Sequence, residues 1–337
     1  MDILPAGKLP PVLFDQIISK IPKNDPSVII GPGTGMDSSI IDLGSQYLVV
    51  KSDPISLTSK NIGWHAVQIN VNDIMTSGGD PHWMMTTLLL PENQTTFELV
   101  NEISDNILDA AQEYGISIIG GHTEITNGIE RPILAATMIG TVEKSKLISP
   151  YGVKSGDLVF LTKEICIETV AILANDFSEH LEKYLSEEEL KISQGYLKDP
   201  GISVYKEARL IRDGFGVTAM HDPTEGGIAA ALWELSISSN KILLIDLDQI
   251  ALSPLSAKIC SIFDINPINS ISSGALLFTA DPLYEGKIIN ILKDNQIAVR
   301  VIGSVGQDGT GVIQKGTEPK KFIQRPVRDE ITKVFYL

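Results

Sequence analysis

The segment His221-Asp222-Pro223-Thr224-Glu225-Gly226-Gly227 lies between an apolar run at Gly216–Met220 and another at Ala229–Leu235. A carboxylate, a proline stop and two glycines in that order impose a strand, a tight loop and then a helix. Glycines at the start of a helix leave backbone N–H groups unpaired at the positive end of its dipole, which suits phosphate. Asp222 would repel phosphate unless a divalent cation lay between them. The segment alone therefore reads either as a metal–phosphate site, with Gly226 and Gly227 presenting amides, or as an ordinary loop with a capping Thr or Asp.

A chain of 337 residues is long enough for two domains. The net charge of −15 speaks against general binding to nucleic acid or anionic membrane, because a polyanion needs a basic face. It leaves room for a single nucleotide held by N–H groups and Mg²⁺. Cys166 and Cys260 are too few for a disulfide framework or a cysteine zinc site, and they fit a reducing interior. Met1–Pro5 has no basic leader, and no run is long enough to span a membrane, so a soluble cytoplasmic protein is expected.

Periodicity predicts a helix over Lys8–Ile21, strands at Val28–Ile30, Ile40–Ile41 and Tyr47–Lys51, and a helix over Ile62–Thr76. Thr95-Thr96-Phe97-Glu98 reads as a capping box, Thr95 with Glu98 three residues on, opening an amphipathic helix from Phe97 through Tyr114 that Gly115 ends, with strands at Ser117–Ile119 and Ile133–Val142 after it. A boundary falls near Ser149–Gly152, giving domains 1–150 and 151–337. The second half alternates strands (Leu158–Thr162, Gly216–Met220, Ile242–Asp246, Ala275–Thr279, Ala298–Val305) with helices. Hairpin-like returns point to mixed sheets, hence an α+β class in both halves.

Asn70 and Asp73 fall on the face of the Ile62–Thr76 helix that also carries Ala66, Ile69 and Ile74. A buried carboxylate there needs a metal or a polar partner. Asp53 ends a strand before Pro54, and Asp37 closes the glycine loop Gly31–Gly35. Each alone reads as a turn or cap, but Asp37, Asp53, Asp73 and Asp222 together form a hard-oxygen set suited to Mg²⁺. Gly120-Gly121-His122-Thr123-Glu124 follows a buried strand and reads as a tight turn or as a close backbone approach to a ligand, with His122 and Glu124 able to reach phosphate or metal.

The order of these pieces resembles the aminoimidazole ribonucleotide (AIR) synthetase, or PurM-like, superfamily. Its members include thiamine-monophosphate kinase, selenophosphate synthetase and the hydrogenase-maturation factor HypE. The nearest likeness is to HypE-like, AIR synthase-related proteins, through Gly7-Lys8-Leu9-Pro10-Pro11, Val49-Val50-Lys51-Ser52-Asp53-Pro54, Asn72-Asp73-Ile74-Met75-Thr76 and Ile271-Ser272-Ser273-Gly274-Ala275. The resemblance implies an N-terminal mixed-sheet domain that dimerises, a C-terminal α+β domain, and ATP bound in a cleft between domains and subunits. It implies that Asp37, Asp53, Asp73 and Asp222 hold Mg²⁺–phosphate, that Asn70 orients them, and that Gly120, Gly121, His122 and Thr123 face the nucleotide. Lys8 would sit on an arm over ATP.

Phosphoryl transfer of this kind rests on positioning and charge neutralisation. The expected function is ATP- and Mg²⁺-dependent phosphoryl transfer to a small-molecule or amide-type acceptor. The alternative is a nucleotide-binding accessory protein in hydrogenase or metallocentre maturation, working with a partner protein. The run Lys333–Leu337 holds no counterpart of the terminal cysteine of HypE proper. His122 stands where many relatives carry Asp, Glu225 where they carry Arg or Gly, and Met36 where an acid is common.

Overall fold

The computed structural model describes residues 4, 6–22 and 24–336. The amino-terminal reading of Met1–Pro5 lies largely outside them, as does Leu337. The chain divides into a smaller unit, Ser27–Gly31 with Asp37–Leu147, and a larger one, Met1–Pro26 with Pro32–Met36 and Ile148–Leu337. The first helix, α1 (Pro11–Ile18), belongs to the larger unit. It is shorter than expected because Pro10 keeps extended backbone in front of it, at φ −52° and ψ 136°.

The smaller unit is built on β1 (Val28–Ile30), β2 (Ser39–Asp42), β3 (Tyr47–Ile55), α2 (Ile62–Thr76), β4 (Asp80–Pro91), α3 (Phe97–Glu113), β5 (Ser117–Thr126) and β6 (Ile133–Val142). Its sheet runs β1-β2-β3-β6-β4-β5. All pairs are antiparallel except β4 with β5, which α3 connects as a crossover. Every residue of α2 is buried, as its mostly apolar circumference demands. Gly63 lets α3 close on it: a Cβ there would lie 2.6 Å from the Ile103 carbonyl oxygen. Thr96 caps α3 by accepting from the Leu99 amide. On β6, Leu134, Ala136, Met138 and Val142 are buried in strict alternation with half-exposed neighbours, the pattern of a sheet covered on one face.

In the smaller unit, two strands differ from expectation. β4 went unread because prolines mark both its ends; Pro81 is accommodated beside the strand's first residue. β5 extends well past Ile119, so Gly120–Glu124 is not a turn but extended edge strand.

The larger unit holds β7 (Leu158–Thr162), α4 (Ile167–Asp176), α5 (Ser178–Leu181), α6 (Glu187–Gly195), α7 (Tyr205–Ile211), β8 (Val217–His221), α8 (Gly227–Ser239), β9 (Lys241–Ile245), α9 (Pro254–Ile262), β10 (Leu277–Ala280), α10 (Glu285–Asp294), β11 (Val299–Asp308), β12 (Gly311–Gln314) and β13 (Lys321–Phe322). Its sheet runs β13-β12-β9-β11-β7-β10-β8, with only β12 and β9 parallel. Phe160 and Phe278 stack at 4.8 Å across β7 and β10 in the core. Ser186 and Glu189 form a reciprocal cap on α6. Both units are α+β with mixed sheets, as the pattern of elements implies. Among the described residues, no helix is long and apolar enough to cross a membrane.

Candidate functional site

In the smaller unit, β3 outruns its partner. β2 pairs with it only up to Val50, so Lys51–Ile55 has β6 on one side alone. Pro54 is tolerated for that reason, and the Asp53 amide is released to a side chain. It donates to Asn70 Oδ1 at 3.2 Å, while Asn70 Nδ2 donates to the Ala66 carbonyl at 2.9 Å. The strand end is thereby pinned to the middle of α2.

One turn on, Asp73 carries a carboxylate that is only 3% exposed. Lys51 Nζ lies 3.0 Å from Asp73 Oδ1 and 3.3 Å from Asp53 Oδ2. Two carboxylates from different elements thus converge on a single cation, which lowers the cost of burying them. The sequence reading did not assign Lys51 a role, although residues two apart on a strand share a side, so Lys51 and Asp53 were already placed together. Ser38 donates to the Asp73 carbonyl at 2.7 Å and so holds the backbone next to Asp37 against α2.

Gly120, Gly121, His122 and Thr123 lie on β5, exposed at the sheet edge. Gly121 permits the β4 pairing: a Cβ there would meet the Thr86 carbonyl oxygen at 2.1 Å. His122 Nε2 and Glu124 Oε2 are 3.0 Å apart on one side of the strand. β6 and β4 separate β5 from β3, so this stretch stands about three strand spacings, roughly 14 Å, from the Asp53 strand.

In the larger unit, β8 delivers His221 and Asp222 to the front of α8, and both are buried. His221 Nε2 pairs with Glu234 Oε2 at 3.0 Å, two turns into the helix. Burial pushes the Glu234 carboxyl up, but the Lys8 ammonium, the His221 hydrogen bond and the His221 and Arg325 charges outweigh it and bring it to about 2. Lys8 Nζ donates to Thr224 Oγ1 at 3.0 Å and lies 3.3 Å from Glu225 Oε2. Gly35, the last glycine of the first glycine loop, packs on α8; a Cβ there would lie 2.5 Å from the Glu234 carbonyl oxygen.

Gly226 and Gly227 adopt φ of +85° and +60°, which glycine accepts without strain. The amides expected to face outward do not. The Gly226 amide donates to Asp329 Oδ2 at 2.6 Å, and that of Gly227 to the Thr224 carbonyl at 2.9 Å. A loop packed this closely satisfies its donors internally. A Cβ on Gly227 would lie 2.5 Å from the Ser270 carbonyl oxygen. Asp329 has no motif around it in the sequence and was missed; burial pushes its carboxyl up to about 7 against the hydrogen bonds from Gly226 and Ile331.

Comparison with known proteins places these features in a wider group. Residues 35–142 match the sequence model of AIR synthase related protein, N-terminal domain, and residues 154–316 that of the C-terminal domain. A putative hydrogenase expression/formation protein of Methanocaldococcus jannaschii is 26% identical over 334 residues, covering 96% of each chain. The solved structure of hydrogenase maturation protein HypE in complex with ATP superposes with a TM-score of 0.70 at 17% identity, over 93% of this chain and 96% of that one. A ThiL structure complexed with AMPPCP and TMP gives 0.70 at 21% identity, over 90% and 93%.

Proposed function

Because the chain belongs to the AIR synthase-related family, we propose that it is an ATP- and Mg²⁺-dependent phosphoryl-transfer enzyme acting on a small-molecule or amide-type acceptor. The observation that carries this reading is the convergence of the Asp53 and Asp73 carboxylates on one cation, with Asn70 fixing the strand that bears Asp53. Hard oxygens brought this close suit Mg²⁺ as well as they suit an ammonium. Asp37, Asp53 and Asp73 would hold the ion in the smaller unit, and Asp222 is the corresponding carboxylate of the larger one. When bound, Mg²⁺ would neutralise charge developing on the transferred phosphoryl group.

The chain's own residues supply position. Asn70 holds Asp53 in register. Gly120 and Gly121 keep β5 free of side-chain bulk, so that phosphate oxygens could approach His122 on one side of the strand or Thr123 on the other. Lys8 offers an ammonium within reach of the Thr224–Glu225 stretch, and Gly226 and Gly227 set the loop's path rather than donating amides. Structures of similar fold that hold ATP, or AMPPCP and TMP, support the reading that this chain binds a nucleotide. The exposed apolar residues Ile118, Ile119 and Ile125 on β5, an edge strand, support a homodimer joined through this sheet. The buried, free thiols of Cys166 and Cys260 suit a reducing cytoplasm.

The likeness to a hydrogenase expression/formation protein favours a second reading, a nucleotide-binding accessory factor that acts on a maturation partner. Calorimetric titration with ATP, with and without Mg²⁺, tests the first. Mg²⁺-dependent binding that Asp53→Asn and Asp222→Asn abolish is expected. Binding without turnover of any acceptor in a metabolite panel would favour the second reading, and no binding at all would remove both.

A further inference from the structure

The Asp222–Gly227 loop is gripped from two sides within the larger unit. Lys8 holds Thr224 and Glu225 at the exposed side. Beneath, Asp329 uses both carboxylate oxygens: Oδ2 accepts from the Gly226 amide at 2.6 Å, and Oδ1 from the Ile331 amide at 2.8 Å and Ser270 Oγ at 3.4 Å. Its carbonyl accepts from Thr332 Oγ1 at 2.6 Å, which fixes the residue in turn. Ser270 is itself tied to Thr169 Oγ1 at 2.8 Å, and its carbonyl presses on Gly227. Two consecutive loop residues are therefore located by the buried pair Asp329 and Ser270.

We infer that Asp329 is a positioning residue, whose carboxylate fixes the Gly226 amide and thereby the path on which the Asp222–Gly227 loop meets a nucleotide. The inference rests on the nucleotide reading proposed above. An anion in front of α8 is also favoured by the helix dipole. A fully buried carboxylate is nonetheless costly to keep charged, and a neutral side chain would suit the core better. Retaining such a group while loading both its oxygens is the signature of a site that trades stability for geometry.

The full chain and Asp329→Asn, which keeps the volume but turns one acceptor into a donor, are titrated with ATP and Mg²⁺ by calorimetry. In parallel, the Gly226 amide is followed by ¹⁵N–¹H spectroscopy. The variant is expected to bind ATP about tenfold more weakly, as loss of the acceptor for a buried amide implies. Its Gly226 amide should shift upfield and exchange faster, while the amides of Ala231 and Leu232 in α8 stay protected. Affinity within about twofold of native, or an unmoved Gly226 resonance, overturns the inference. If the native chain binds no ATP, the nucleotide reading falls and takes this role with it; native binding that the variant retains removes the role of Asp329 alone. Should Asp329→Asn fail to fold, Thr332→Val replaces it. That change loosens Asp329 without altering its charge; a weakening of about threefold is expected, and unchanged affinity overturns the inference.

Discussion

Lys51 Nζ sits 3.0 Å from Asp73 Oδ1, joining the end of β3 that runs past its β2 partner to a helix with no exposed residue. Removing the ammonium takes a counter-charge from the buried Asp73 carboxylate and from Asp53, whose side chain is 34% exposed. Lys51→Met should therefore cost about 2 kcal/mol of stability, less than the loss of a fully buried pair. Added Mg²⁺ should restore more of the melting temperature to the variant than it adds to the native chain. Equal gains in both would mean that Asp53 and Asp73 are not metal ligands.

The two glycines of β5 are unequal. A Cβ on Gly121 would meet the Thr86 carbonyl oxygen at 2.1 Å, whereas one on Gly120 finds nothing nearer than Met85 Cε at 3.8 Å. Gly121→Ala should destabilise the chain by about 3 kcal/mol and Gly120→Ala by about 1 kcal/mol, read from denaturant midpoints. If the two lose stability equally, the β4–β5 register is wrong.

Acid should loosen the His221–Glu234 pair. With its carboxyl held at about 2 instead of near 4.5, Glu234 contributes stability that is present above pH 4.5 and lost as pH falls towards 2. The contribution is at most about 3 kcal/mol. Melting curves between pH 5 and pH 2 should fall less steeply for Glu234→Gln than for the native chain. Parallel slopes would count against the pairing.

Asp329 titrates with the opposite sign. Its carboxyl, raised by burial to about 7, favours the protonated folded state. Its contribution is complete below pH 3.8 and disappears as pH rises through 7. Glu225 adds to the rise and Lys8 opposes it. The melting temperature of Asp329→Asn should depend less on pH between 4 and 7 than that of the native chain, and an unchanged slope would contradict the shift.

A joined pair of sheets would bury the apolar residues that β5 exposes. Ile119→Lys and Ile125→Lys together should halve the mass seen by sedimentation equilibrium without unfolding the chain. A native chain that sediments as a monomer removes the dimer.

Local signals carried much of this architecture. The limits of α2 follow from its periodicity; α3 begins one residue after the Thr96 cap, beside the expected Thr95–Glu98 box, and ends before Gly115; and β6 has the expected bounds Ile133–Val142, although its alternation is one of burial that the mostly apolar sequence does not display. What escaped depends on partners distant along the chain. The need for glycine at 121 comes from a carbonyl on β4, and the glycines looked like a turn because nothing nearby marks that approach. Asp53, Asn70 and Asp73 could be nominated from their residue types, but not the cation between them. Asp329 and Gly226 lie 103 positions apart, and no periodicity spans that distance.

The burial of α2 divides the molecule by tolerance to change. Asn70 and Asp73 are embedded in a helix packed on every side, so their replacement disturbs the core along with the site. His122, Thr123 and Glu124 stand on an exposed edge where substitution leaves packing almost untouched. Replacements on β5 therefore test the proposed phosphate contacts apart from the core, whereas replacements in α2 test the site and the core together.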